Sequence, residues 1–326
     1  MSATPSADVD GDVDRDLDGD VDRAALACLW ERSAGRAGPV EPADWERQVR
    51  ALYRRGIPIE TALQFLYRER PSLGAFQAWL LERARPHHAA GALQDDPHAG
   101  ELSAAQRQFW DRNGYLVLPG AASRAQCAAA RQAIWDFLGA SADDPASWYR
   151  EHPGKRGMML DFYDHPALAA NRDLPLVRRA CEQLYGTRAL YPSIDKVSFN
   201  PPATPAWPFQ GSALHWDASL HLPMPFRLQG LLYLGDCGPR DGAFHCVPGF
   251  HECLAQWLAR VPAGIDPRDW APGDLVPVPV AGQAGDFILW HQGLPHCATP
   301  NRGALPRMVQ YLTYLPETME HQAQWI

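Results

Sequence analysis

Beyond residue 185 the chain is a succession of short apolar runs cut by Pro and Gly: LYPSIDKVSFN, ALHWDASLHL, RLQGLLYLG, GAFHCVPGF, GDFILWH and RMVQYLTYL. Several runs of this kind, separated by turn signals, predict an all-β sandwich or barrel. Two such sheets must enclose something, and a jelly roll leaves a wide mouth between them, suited to a small ligand. The expected fold is therefore an all-β core with flanking helices.

Upstream the texture differs. Residues 1 to 22 alternate Asp with Val, Leu and Arg and carry no aromatic residue, so they are expected to form a disordered acidic tail. Their DVDGDVD string lacks the closing Glu of a calcium loop. From 23 to 85 the pattern is helical, with Trp45, Val49, Leu52 and Tyr53 on one face, then Ile59, Leu63, Leu66 and Tyr67, then Leu73, Phe76, Trp79 and Leu80. These form a small accessory region, which could serve as a lid, a dimer contact or a dock for a peptide or carrier protein. Residues 86 to 101, rich in Pro, Gly, Ala and His, read as a linker in which His87 and His88 are solvated. The main domain, 102 to 326, opens with two capping boxes, Ser103 with Gln106 and Ser123 with Gln126, so two helices flank a strand at residues 115 to 118.

Composition removes several functions. With 326 residues, 46% of them apolar, the chain can bury a large core. A net charge of −8 and no basic stripe argue against nucleic acid. Seven cysteines without a Cys-x-x-Cys pair suit a reducing cytoplasm. No stretch of 18 apolar residues and no signal-peptide pattern occur, so no membrane association is expected.

The segment HWD at 215 to 217 raises a chemical question. On a strand, residues i and i+2 share a face, so His215 and Asp217 can offer an imidazole and a carboxylate to one point. A stable metal site needs a third ligand, and HCATPNRGALPR supplies His296, with Arg307 eleven residues later. Two histidines and one carboxylate leave an Fe(II) ion with open positions. The planar fork of an arginine then suits the far carboxylate of a cosubstrate that chelates the metal. His291 competes for the third place but lies sixteen residues before Arg307. His221 is too distant along an unbroken strand, and His245 and His251 read as structural or rim residues. Trp216 is expected to turn away from the metal into the core.

With these pieces together, the chain resembles the phytanoyl-CoA dioxygenase family of Fe(II)/2-oxoglutarate-dependent oxygenases over residues 102 to about 315. The resemblance rests on LSAAQRQFWDRNGYLVLPG and its following helix, HWD, DGAFHCVPGFH, GDFILWH and HCATPNRGALPR, in that order. It implies a double-stranded β-helix (jelly roll, cupin-like). It implies His215, Asp217 and His296 as iron ligands, Arg307 as the 2-oxoglutarate anchor, and Tyr233 and Val197 in the cosubstrate pocket. O2 is the second cosubstrate, and succinate and CO2 leave. The family often has a hydroxyl residue where this chain has Ala298, so Thr299 or Tyr233 is expected to supply that hydrogen bond. PGFH replaces the more usual PGSH, consistent with Phe250 packed inward. Because Asp217 is present, halogenation is disfavoured.

The expected reaction is hydroxylation of an unactivated C–H bond in a small molecule, amino acid, peptide or natural-product intermediate. Candidate substrate residues are Lys196, Ser198, Asn200, Trp207, Phe209, Arg227, Trp290 and His291, a mixture suited to a polar or zwitterionic molecule. No basic cluster fits a CoA phosphate. Two alternatives stand beside this reading: a non-catalytic jelly-roll binding protein that retains the metal, and a zinc hydrolase, for which no dedicated general base is visible.

Overall fold

The computed structural model describes residues 10–39, 41–84, 101–318 and 325–326, and the chain divides into two compact units, 1–87 and 88–326. Among the described residues, no helix is long and apolar enough to cross a membrane. The first unit is helical, with α1 (Asp10–Ser33), α2 (Pro42–Tyr53), α3 (Ile59–Glu69) and α4 (Leu73–Arg83). Leu26, Leu29, Leu52, Leu66, Phe76 and Leu80 form its core, beside the stacked rings of Phe65 and Trp79.

Helix α1 begins at Asp10, inside the stretch expected to form a tail. Its C-terminal half is anchored by buried Leu26 and Leu29, and the Asp22 carboxylate is paired with Arg54 and Arg55. Once nucleated there, a helix extends one hydrogen bond per residue, and no Pro in 10 to 22 stops it. The linker stretch with His87 and His88 lies outside the described residues, apart from Glu101.

In the second unit, α5 (Ala104–Asn113) and α6 (Arg124–Leu138) flank β1 (Tyr115–Leu118). Both helices start in complete capping boxes, with Ser103 and Ser123 accepting from the N–H of Gln106 and Gln126 while the Gln side chains reach back. Gly114 ends α5 at φ 71°, a left-handed conformation that a side chain would strain. Then follow β2 (Lys155–Arg156), β3 (Met159–Leu160), α7 (Pro166–Ala170), α8 (Pro175–Tyr185), β4 (Leu190–Pro192), β5 (Val197–Asn200), β6 (Leu228–Tyr233) and β7 (Phe244–Cys246). The chain continues through α9 (Phe250–Leu258), α10 (Pro267–Asp274), β8 (Val278–Val280), β9 (Phe287–His291), β10 (His296–Ala298), β11 (Arg307–Tyr311) and β12 (Tyr314–Pro316).

A seven-stranded antiparallel sheet, ordered β1-β9-β6-β11-β5-β3-β2, faces a three-stranded one, β10-β7-β8, as in a jelly roll; β12 and β4 form a separate pair. Strand alternation gives the large sheet two different faces. Val197, Phe199, Leu228, Leu232, Phe287, Leu289 and Met308 pack with Cys127, Ile134, Val177 and Cys181 from the helices. The intervening residues Leu231, Tyr233, Ile288, Trp290 and Val309 meet Phe244, Cys246, Val280 and Cys297 of the small sheet. That second face encloses the cavity.

The strand expected at 213 to 222 is absent. Only His215 pairs there, in a single bridge to His296 with N–H···O distances of 3.0 and 2.9 Å. Pro201, Pro202, Pro205 and Pro208 before it, and Pro223 and Pro225 after it, lack the N–H that a ladder needs. The run RMVQYLTYL likewise divides, β11 staying in the large sheet and β12 leaving it to pair with β4.

Candidate metal centre and cosubstrate pocket

The bridge between His215 and His296 brings two sequence-distant segments side by side. Their rings lie 4.7 Å apart, and Asp217 completes a group whose potential ligand atoms all fall within 4.8 Å of one another. Asp217 Oδ1 is 3.4 Å from His215 Nε2, and Oδ2 is 3.2 Å from His296 Nε2. Each imidazole is oriented from behind. His215 Nδ1 lies 2.7 Å from the Ala213 carbonyl and His296 Nδ1 lies 3.1 Å from that of Leu294. A carbonyl accepts only, so Nδ1 carries a proton in each ring and Nε2 faces the shared point, donating to Asp217 when the ring is protonated and offering its lone pair to a metal when it is neutral.

The electrostatics agree with that geometry. Burial pushes the Asp217 carboxyl up, but hydrogen bonds from His215 and His296 outweigh it and hold the group well below the usual carboxylate range. For His215 burial works against the charge, and the Asp217 contact carries its pKa above the ordinary value. Two imidazole nitrogens and an ionised carboxylate fit a ferrous ion with open coordination positions.

These ligands line a cavity of about 610 Å³ that also takes in Arg307. Arg307, at the head of β11, is only 5% exposed. Its Nη1 is 3.4 Å from Ser198 Oγ, its guanidinium carbon lies 5.8 Å from the Tyr233 ring centre, and its Nε has no hydrogen-bond partner. Burial opposes this charge, yet Tyr311, Tyr233 and Cys237 raise its pKa. A buried guanidinium that lines the cavity and keeps an unsatisfied donor has the charge and the planar fork to receive a carboxylate.

The other expected residues are distributed unevenly. Ala298, Arg227 and Trp290 line the cavity. Ser198 and Asn200 share Arg307's side of β5, where Asn200 donates to the Thr299 carbonyl at 3.2 Å. Val197 packs on the opposite, helix-facing side, because alternation along β5 turns it away. The Tyr233 hydroxyl is committed to the sheets, donating to Val280 O at 2.7 Å and accepting from the Phe244 N–H at 3.0 Å, so only its ring serves the site. Lys196 is paired with Asp161. Trp207 and Phe209 border a separate small crevice, Trp207 stacking under Lys155. His291 accepts from the Gly293 N–H and faces His251, 5.2 Å away, outside the ligand group.

Trp216 is buried beside Phe250 and Trp257, its Nε1 donating to Gly293 O, so it faces the core. Phe250 likewise packs inward as the first residue of α9. Sequence reasoning missed several cavity residues: Arg156, Met158, Met159, Gln210, Gln229, Gln292, Tyr311 and Thr313. For Gln229 a signal existed, since it is a polar residue at an inward position of an otherwise apolar strand.

A family model described as phytanoyl-CoA dioxygenase (PhyH) matches residues 110–309. The methylphosphonate hydroxylase of Gimesia maris is 25% identical over 225 residues, 65% of this chain and 80% of that protein. Among solved structures, the product of GlcNAc Inducible Gene 2 of Candida albicans superposes with a TM-score of 0.51 at 12% identity, covering 65% of this chain and 63% of that one. The non-haem α-ketoglutarate-dependent epimerase SnoN of nogalamycin biosynthesis is 22% identical with a TM-score of 0.48, covering 69% and 85%.

Proposed function

The chain belongs to the phytanoyl-CoA dioxygenase family, and from that premise we propose that it hydroxylates an unactivated C–H bond of a small polar molecule. The observation that carries this is the convergence of His215, Asp217 and His296 at a cavity that also contains the buried Arg307. Bound Fe(II) and 2-oxoglutarate supply O2 activation, with succinate and CO2 as the by-products.

His215, Asp217 and His296 would hold the ion. Arg307 grips the far carboxylate of the keto acid, backed by Ser198 and the Tyr233 ring. Phe244 and Trp290, with ring centres 5.7 and 5.3 Å from that of His296, exclude water from one side of the ligand set. Arg156, Arg227, Gln210, Gln292, Ser193 and Thr313 line the remaining wall beside Met158 and Met159. This lining supports a polar or zwitterionic substrate whose apolar part rests on the methionines, and positioning one C–H against the iron face is the protein's main contribution.

The test is succinate release from 2-oxoglutarate by the purified chain with Fe(II) and O2, screened over small acids, amino acids, peptides and natural-product intermediates. A substrate that stimulates release and gains one oxygen atom is the expected result. A product of unchanged mass would point to epimerisation instead. Absence of any iron-dependent 2-oxoglutarate consumption would favour the non-catalytic binding protein.

A further inference from the structure

The cavity wall holds one polar chain that the iron ligands alone do not account for. Gln229 sits on the inward face of β6, opposite Trp290 of β9 in the ladder. Its Nε2 donates to Asp217 Oδ2 at 2.9 Å, and its Oε1 accepts from Trp290 Nε1 at 3.0 Å. An indole N–H can only donate, so it selects the amide oxygen and leaves the NH2 group to face the carboxylate. Trp290 is itself locked, 2% exposed, with its ring 4.5 Å from that of Phe244. The amide orientation is therefore set by the core and not by solvent.

Building on the metal reading above, we propose that Gln229 is a positioning residue: oriented by Trp290, it engages Oδ2 of Asp217 and makes the carboxylate a ligand through Oδ1. An oxygen already accepting an N–H has less electron density to give a metal, whereas Oδ1 has no such amide donor. Single-oxygen ligation keeps a coordination place that a carboxylate binding through both oxygens would fill, and 2-oxoglutarate with O2 requires three. Asp217 needs this support because it lies in a segment with no ladder beyond the one bridge at His215. Gln229 and Trp290, by contrast, sit on paired interior strands of the large sheet. The chain of donors thus transfers the rigidity of β6 and β9 to a ligand on a loop.

Cobalt(II) titration of the metal-free protein, read by visible absorption, tests this without turnover. Gln229→Met keeps the length and volume of the side chain but donates nothing. It should weaken Co(II) binding about 10- to 100-fold, the range for removing a partner of a metal ligand. It should also shift the cobalt absorption bands as the carboxylate changes its mode, and lower the melting temperature of the metal-free protein by only a few degrees, the cost of leaving the buried Trp290 N–H unpaired. Trp290→Phe keeps a ring but removes the indole N–H, and should move affinity and bands the same way by a smaller factor. Parental affinity and bands in both variants, with Asp217→Ala abolishing binding, would overturn the role of Gln229 and leave the metal centre standing. If Asp217→Ala also bound cobalt normally, the metal centre itself would fall and this inference with it.

Discussion

The two faces of the seven-stranded sheet are made from the same strands, residue by alternate residue, and they do different work. Toward the helices the sheet presents Val197, Phe199, Leu228, Leu232, Phe287, Leu289 and Met308, a nearly unbroken apolar surface. Its polar member Gln310 is satisfied by Asn171 and the Leu168 carbonyl. Toward the small sheet the same strands present Ser198, Asn200, Gln229, Trp290 and Arg307 among fewer aliphatics. One face provides most of the cohesion, and the other accepts buried polar groups because a ligand site needs them. Stability and chemistry are thus separable by parity along a strand, a property that helices, with their continuous angular drift, do not offer so cleanly.

The separation can be attacked from either side. Asp217→Ala, on the inner side, should remove iron-dependent succinate formation while the metal-free protein melts within a few degrees of the parent; retained turnover would show that Asp217 is not a ligand. Phe199→Ala, on the helix side, should cost about 3–5 kcal/mol of stability by leaving a cavity beside Trp135. Denaturant unfolding would read that loss, and an equal drop in cobalt affinity at low temperature would break the comparison. Arg307→Leu should raise the KM for 2-oxoglutarate about 10- to 100-fold, the equivalent of hydrogen bonds to a charge worth about 1.5–3 kcal/mol. Stability of the metal-free form should hold or rise, since a buried charge is replaced by an apolar group. An unchanged KM would place the anchor elsewhere.

The smallest effect concerns pH. Burial, and then the neighbouring His251, hold the His291 imidazole at about 4, below its ordinary 6.5. The folded state resists a proton that the unfolded chain accepts, so this contribution is full above pH 6.5 and is lost as the pH falls through 4. His291→Gln should therefore narrow the difference in denaturation midpoint between pH 7 and pH 4.5. An undiminished difference would assign the acid sensitivity to other groups.

Much of the architecture was legible because its signals are local. The short apolar runs between Pro and Gly announced β-structure, and the Ser-x-x-Gln boxes marked the starts of α5 and α6. His215, Asp217 and His296 were visible as candidates through residue type and order. What stayed illegible has one cause. The resemblance places Val197 in the cosubstrate pocket, yet Val197 packs toward the helices and its neighbour Ser198 meets Arg307. Which parity faces inward depends on the pairing of β5 with β11, Arg307 opposite Asn200, and a one-residue slip would exchange them. Tyr233 is one of two residues, with Thr299, expected to supply a hydrogen bond to the cosubstrate, and nothing local reveals that its hydroxyl is held by Val280 and Phe244.

By itself, then, the order of residues determined the β-rich class, the capped helix starts and a set of side chains able to bind a ferrous ion, since each follows from spacing and residue chemistry within a few positions. Only the tertiary structure decided that the HWD segment is a loop held by one bridge, that Gln229 and Trp290 stand behind Asp217, and that Arg307 is buried against Ser198. Those are contacts between segments 12 to 109 residues apart. They exist only once strand register has fixed which side of each strand meets which.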